Sequence, residues 1–175
     1  MGLVATAASC PALAGCPIPF PSEVEVQADA GLNATPVIQR ATPAELAFPG
    51  PIALDRGDAR IVTLHCRDTD LADTLYVRGY RDYSDANPTP FLVDVEFPPT
   101  GDAVRLIDVS LSTWCAGLSA ADTDAHFFSM LIADRPFLRC PGPPDCEGQP
   151  QFRELPADAQ ASVSAIWTIT CNPPE

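Results

Sequence analysis

From residue 36 onward, apolar and polar side chains alternate with a period of two. Val62, Leu64 and Cys66 share one face of the run 61–66. Over 74–80, Leu75, Val77 and Gly79 alternate with Tyr76, Arg78 and Tyr80. Phe91, Val93, Val95 and Phe97 alternate with Leu92, Asp94 and Glu96 until Pro98-Pro99 stops the run. Ile107, Val109 and Leu111 fall together within 104–113, and Phe128, Met130 and Ile132 within 126–134. A last run sets Val163, Ala165, Trp167, Ile169 and Cys171 against Ser164, Thr168 and Thr170. Successive side chains of a strand point to opposite faces, and the Thr, Val, Ile and aromatic content favours strand over short buried helix. These six runs, with turn residues between them and an early strand near Val37-Ile38, predict an all-β fold, an antiparallel β-sandwich.

Two connections are long. Gly117–Asp124, with Ser119-Ala120-Ala121-Asp122, has room for a single helical turn. The 135–162 connection contains Cys140-Pro-Gly-Pro-Pro-Asp-Cys146 and then Pro156–Ala161, which reads as a short helix with Pro in its first turn. A connection of that length calls for support, which a Cys140–Cys146 clip would supply.

Composition narrows the classes. Ten basic residues, all Arg, stand against 23 acidic ones, for a net charge of −13. Such a field repels phosphate backbones, and nucleic acid is excluded as a partner. At 46% hydrophobic the chain can bury a core, while 20 prolines punctuate it too often for long helices. No apolar run reaches the roughly 18 residues of a membrane-spanning helix.

The N-terminal stretch is uncharged, rich in Ala and ends in Leu13-Ala14-Gly15-Cys16. That tetrapeptide resembles the lipobox of bacterial lipoproteins. The resemblance implies a signal peptide over 1–15, cleavage after Gly15 and a diacylglycerol thioether on Cys16 as the mature N-terminus. A signal peptide opens with a basic segment, and no Arg precedes Arg40, so export requires basic residues upstream of Met1. The competing reading is an ordinary apolar N-terminus. Residues 16–35, with Pro-Ile-Pro-Phe-Pro followed by an acidic, Gly-containing stretch, read as a tether of roughly 60 Å when extended. The sandwich domain is expected over 36–175.

Beyond Cys10 and Cys16 lie Cys66, Cys115, Cys140, Cys146 and Cys171, with no C-x-x-C pair and only His65 and His126. That spacing suits no zinc site and points to disulfides in an oxidising compartment. Asp68-Thr69-Asp70-Leu71-Ala72-Asp73-Thr74-Leu75-Tyr76, following Val62-Thr63-Leu64, resembles the acidic turn of bacterial Ig-like modules of the PKD and cadherin-like kind. The stretch 126–134, alternating and ending in Asp134, is similar to their late strand. Together with the lipobox, these motifs resemble acidic bacterial envelope lipoproteins and imply an Ig-like sandwich, carrying the long loop and its short helix. Gly79 stands where such modules usually carry Trp, so Trp167 or Trp114 is expected to fill that space. In Ig strand order, Cys115 and Cys171 end inward-facing runs at one pole, which implies a Cys115–Cys171 disulfide. Cys66, at the other pole, is then the odd thiol or a competitor for the 140–146 loop.

The candidate chemistry is thin. Asp68, Asp70 and Asp73 could supply part of the oxygen set that calcium takes, or could cap backbone N–H groups of a solvated turn. No G-x-S-x-G, H-E-x-x-H or P-loop motif occurs, so neither a catalytic residue nor a cofactor is expected. Tyr76, Arg78, Tyr80, Arg81 and Tyr83 form an aromatic-basic cluster, the residue types that concentrate at interfaces, on what is equally an ordinary sheet face. Two functions remain: a lipid-anchored, monomeric, non-catalytic module with a structural or adhesive role toward an envelope partner, or a secreted acidic enzyme or ligand receptor with a site in the 135–162 loop.

Overall fold

The computed structural model describes residues 33–84, 86–138 and 153–172. The expected signal peptide, Cys16 and the Cys140–Cys146 clip lie outside them. Eight strands form two sheets: β1 (Val37–Thr42), β2 (Ile52–Asp55), β3 (Ile61–Arg67), β4 (Leu75–Arg81), β5 (Val93–Phe97), β6 (Val104–Ser110), β7 (Ala125–Ala133) and β8 (Ala161–Asn172). The first sheet runs β1-β3-β6; the second, β2-β8-β7-β4-β5. This crossing connectivity follows Ig-type order, with β3 and β6 on one sheet and β4, β7 and β8 on the other. All pairings are antiparallel except β2 with β8, which run parallel from Ile52↔Ile169 to Asp55↔Asn172.

The inward residues of both sheets meet in one core. Val62, Leu64, Cys66, Ile107 and Val109 from the first pack with Leu75, Val77, Phe128, Met130, Ile132, Trp167 and Ile169 from the second. These residues are all buried, whereas Phe91 and Val163 of the alternating runs are exposed. Gly79 leaves room for aromatic packing across the strands: an added Cβ would lie 2.7 Å from Cε1 of Phe128. Trp114 stacks on Phe128 with centroids 4.0 Å apart and meets Trp167 edge-on at 5.1 Å. The ring over Gly79 is thus Phe128, with both tryptophans packed behind it.

One strand goes unforeseen by the sequence, and three expectations need correction. Ile52–Asp55 is a strand that follows a Pro-rich stretch containing the cis bonds before Pro43, Pro49 and Pro51. Prolines at its start suit an edge strand, and its alternation of four residues is too short to stand out in the sequence. Val163 is exposed because the β7–β8 register shifts between Met130 and Leu131, pairing Met130 with Ala165 and Leu131 with Val163. The extra residue on β8 turns the strand's first residues to the other face. Pro156–Ala159 closes as a single turn through the Ala159 N–H to the Pro156 carbonyl, and Ala161 already belongs to β8. Ser119–Asp122 is likewise a turn and not a helix.

Candidate functional site

The acidic turn sits at the pole where β3 ends and β4 begins. The Asp68 side chain is fully buried; its Oδ1 accepts the Asp70 N–H, and its Oδ2 lies 3.7 Å from Nη2 of the equally buried Arg105. Burial pushes the Asp68 carboxyl upward, against the pull of the Asp70 amide and Arg105. Arg105 also donates to the carbonyls of Asp70 and Asp73, clamping the turn from β6. Asp70 Oδ2 accepts the Ala34 N–H at 2.9 Å, and Asp73 faces Arg135 at 3.5 Å. The three carboxylates therefore serve three different partners. Among the described residues, no three His, Cys, Asp or Glu side chains are grouped so as to hold a metal ion.

The same pole fastens the segment before β1. Asn33 donates to Asp134, Thr35 bonds Gln160, and Asp134 Oδ1 accepts the Gln160 N–H at 2.8 Å. Among the described residues, contacts of the sandwich thus reach back to Asn33, inside the stretch assigned to the tether. No signal marks this in the sequence, because the partners lie about a hundred residues away.

The outward face of β4 is the second candidate. Tyr76 is half-buried, while Arg78 and Tyr80 are buried, at 6% and 0% exposure. Tyr80 packs with Leu131, Ala133 and Phe137, flanked by Tyr76, Tyr83 and Leu155. The Arg78 guanidinium lies between the Phe91 and Phe137 rings, at 4.4 and 4.5 Å, and its Nε donates to Asp94 Oδ1 at 2.9 Å. Arg153 covers the Tyr83 ring at 4.7 Å. Segments 136–138 and 153–155, joined by the Leu138 N–H to the Glu154 carbonyl, are what cover the face. Beside them opens a cleft of about 260 Å³ lined by Tyr76, Arg78, Asp94, Glu96, Pro136 and Phe137. Of the expected contact residues, Tyr76 and Arg78 line this cleft and Tyr80 is core. Phe127, Val163 and Ile166 are exposed apolar side chains of the same sheet face; the alternation assigns Val163 inward and names neither of the others.

The histidines lack complementary partners. His126 lies between carboxylates, Nδ1 2.6 Å from Asp82 and Nε2 3.3 Å from Asp122, with no nucleophile in contact among the described residues. His65 Nε2 lies 3.3 Å from the Thr42 hydroxyl, with no described carboxylate bonded to the ring. A triad needs both relations at one histidine.

Cys66 is the free thiol among the described residues, and burial pushes its pKa up to about 12. Burial likewise raises the Tyr80 phenol well above its usual value of 10.0. A group whose folded pKa exceeds its unfolded one favours the fold while protonated. That contribution is full below pH 9 and is lost as pH rises through the window from 9.0 to about 12 for Cys66, and from 10.0 upward for Tyr80. Each group should cost about 1.4 kcal/mol per pH unit inside its window. Urea midpoints are expected to fall steeply above pH 9, with a shallower fall in Cys66→Ala. A thiol reagent at pH 8 should modify Cys66 only after unfolding.

The fold and this face define an all-β sandwich domain with a partly covered sheet face and a disulfide between Cys115 and Cys171, Cα atoms 5.8 Å apart. Neither a known family model nor a curated protein sequence matches the chain.

Proposed function

We propose that the protein is a lipid-anchored, non-catalytic module of a bacterial cell envelope, held by a thioether at Cys16 and offering its five-stranded sheet to an envelope partner. The observation that carries this reading is the Cys115–Cys171 disulfide. Such bonds form and persist in oxidising compartments outside the cytosol. The partly covered sheet face, with Phe127 and Ile166 exposed on it and the Arg78 cleft open, supports a binding role over a purely structural one. Each buried acyl methylene contributes about 0.8 kcal/mol of membrane affinity, so two or more chains on Cys16 anchor stably.

Radiolabelled fatty acid is expected to enter the protein expressed with its native upstream sequence, and to be absent from Cys16→Ser. Equal labelling of the variant would refute the anchor. A second reading, a ligand receptor using the 135–162 connection, draws support from Pro136 and Phe137 lining the cleft. Loss of partner capture in Phe127→Ser with unchanged folding would favour the first reading; loss in Phe137→Ala alone would favour the second.

A further inference from the structure

The opposite pole of the sandwich holds a second, larger opening. A cavity of about 540 Å³ lies between the end of β4, the 87–92 connection and the turn after β6. Its walls include Pro90, Leu92, Ala116 and Leu118, with Arg81, Asp82, Asn87 and Thr89 as the polar groups. Arg81 is in phase with Leu75, Val77 and Gly79, so its side chain enters from the inward face of β4. One of its nitrogens, Nη1, donates to the Trp114 carbonyl at 2.7 Å. No described carboxylate lies within 4.0 Å of the guanidinium in a chain that carries 23 of them.

The carboxylate next to it in sequence is already engaged. Asp82 Oδ2 meets His126 at 2.6 Å and Oδ1 accepts the Phe127 N–H at 2.9 Å. Asp122 is turned to the other side of the same imidazole, 3.3 Å away. Arg56 is committed as well, donating to the carbonyls of Leu118, Ser119 and Asp122. Thr89 spends its hydroxyl on the Arg81 carbonyl at 2.8 Å. Among the described residues the cavity thus carries one cation, Arg81, with donors beyond its Trp114 bond, beside the engaged Asp82 carboxylate and the Asn87 side chain, among apolar walls.

We propose that this cavity is a binding site for a carboxylate carried on a short branched apolar body, held by the Arg81 guanidinium. A planar fork matches a carboxylate in geometry and charge, and a partly buried guanidinium is screened less than one on an open surface. Burial lowers the Arg81 pKa against the pull of Asp82 and Asp122, the condition an added anion would relieve. The volume suits a small molecule or the last residue of a peptide. Pro90, Leu92 and Leu118 would receive the apolar body, and Asn87 can donate to the second oxygen.

The test is a titration of isotope-labelled protein followed by the amide signals of Arg81, Leu92 and Gly117. The probes are isovalerate, its neutral amide, acetyl-alanyl-leucine with a free C-terminus, and the same dipeptide amidated. Saturable shifts with a carboxylate and none with its amide are expected. Isovalerate alone would mark a free acid as the ligand, the dipeptide alone a peptide C-terminus, and either supports the site. Arg81→Gln should weaken binding about ten- to a hundredfold, the loss expected of a hydrogen bond to a charged group. Should Arg81→Gln fail to fold, Asn87→Asp decides the matter, because a second carboxylate at the cavity wall, added to Asp82, should weaken binding by electrostatic repulsion. Amides binding as tightly as acids, no saturation with either carboxylate, or wild-type affinity in the folded Arg81→Gln or in Asn87→Asp would overturn the proposal.

Discussion

Replacing Cys115 and Cys171 together by Ala is expected to lower the melting temperature by about 10–15 °C, the shift that about 4 kcal/mol makes in a domain of this size. The bond joins residues 56 apart and ties the turn after β6 to the end of β8, so it closes one sheet onto the other. Closing a loop of that length removes conformational entropy from the unfolded chain, and stabilities of whole domains are only about 5–15 kcal/mol. Both half-cystines are buried, at 5% and 1% exposure, so reductant alone should act slowly until denaturant opens the pole. Thermal melts of the double variant, followed by far-ultraviolet circular dichroism, decide the matter. A shift under about 3 °C would show that the folded pole is strained by the bond as much as the unfolded chain is restrained by it.

Arg105→Met should be the most damaging single substitution, costing about 3–5 kcal/mol. Arg105 is 1% exposed, faces the buried Asp68 carboxylate and donates to two carbonyls of the acidic turn. Methionine keeps the side-chain volume but leaves Asp68 without a counter-charge and both carbonyls without that donor. The companion variant Asp68→Asn removes the charge instead, and the double variant should cost less than the sum of the two. Urea unfolding of all four proteins measures that coupling. Additive losses would mean that Arg105 acts through the carbonyls and that Asp68 contributes no pairing.

The strands were legible in the sequence wherever one face of a strand met the core and the other met water. Ile61–Arg67 and Val104–Ser110 are of that kind, and their alternation marks both the strand and its buried residues. The disulfide was legible for a related reason, since phase along each run and strand order together placed Cys115 and Cys171 at one pole. The alternation fails on β4, where Arg78 and Tyr80 are buried although they point away from the core. Their burial is imposed by Phe137 and by the segment 153–155, and nothing local to β4 announces that cover. The acidic turn misleads in the same way. Asp68, Asp70 and Asp73 look like a cluster in sequence, but Arg105, Arg135 and the Ala34 amide arrive from distant elements and draw each carboxylate apart. Local pattern reports what a strand needs; which distant segment meets that need is a property of topology. The 87–92 and 111–118 segments that shape the Arg81 cavity come together for the same reason, and composition gives no sign of it.

The disulfide has a mechanical consequence. If the domain is pulled between Asn33 and Asn172, the load travels along the covalent path from Asn33 to Cys115, crosses the sulfurs, and leaves through Cys171. Residues 116–170, with all of β7 and most of β8, hang off that path and bear no tension. Full extension of the loaded chain is shorter by roughly 190 Å than it would be without the bond. Of the parallel β2–β8 ladder, only the pairs at Cys171 and Asn172 then lie on the loaded path, and the pairs at Ile169 and Thr170 are sheltered with the rest of β8. A domain built this way lengthens little once it yields.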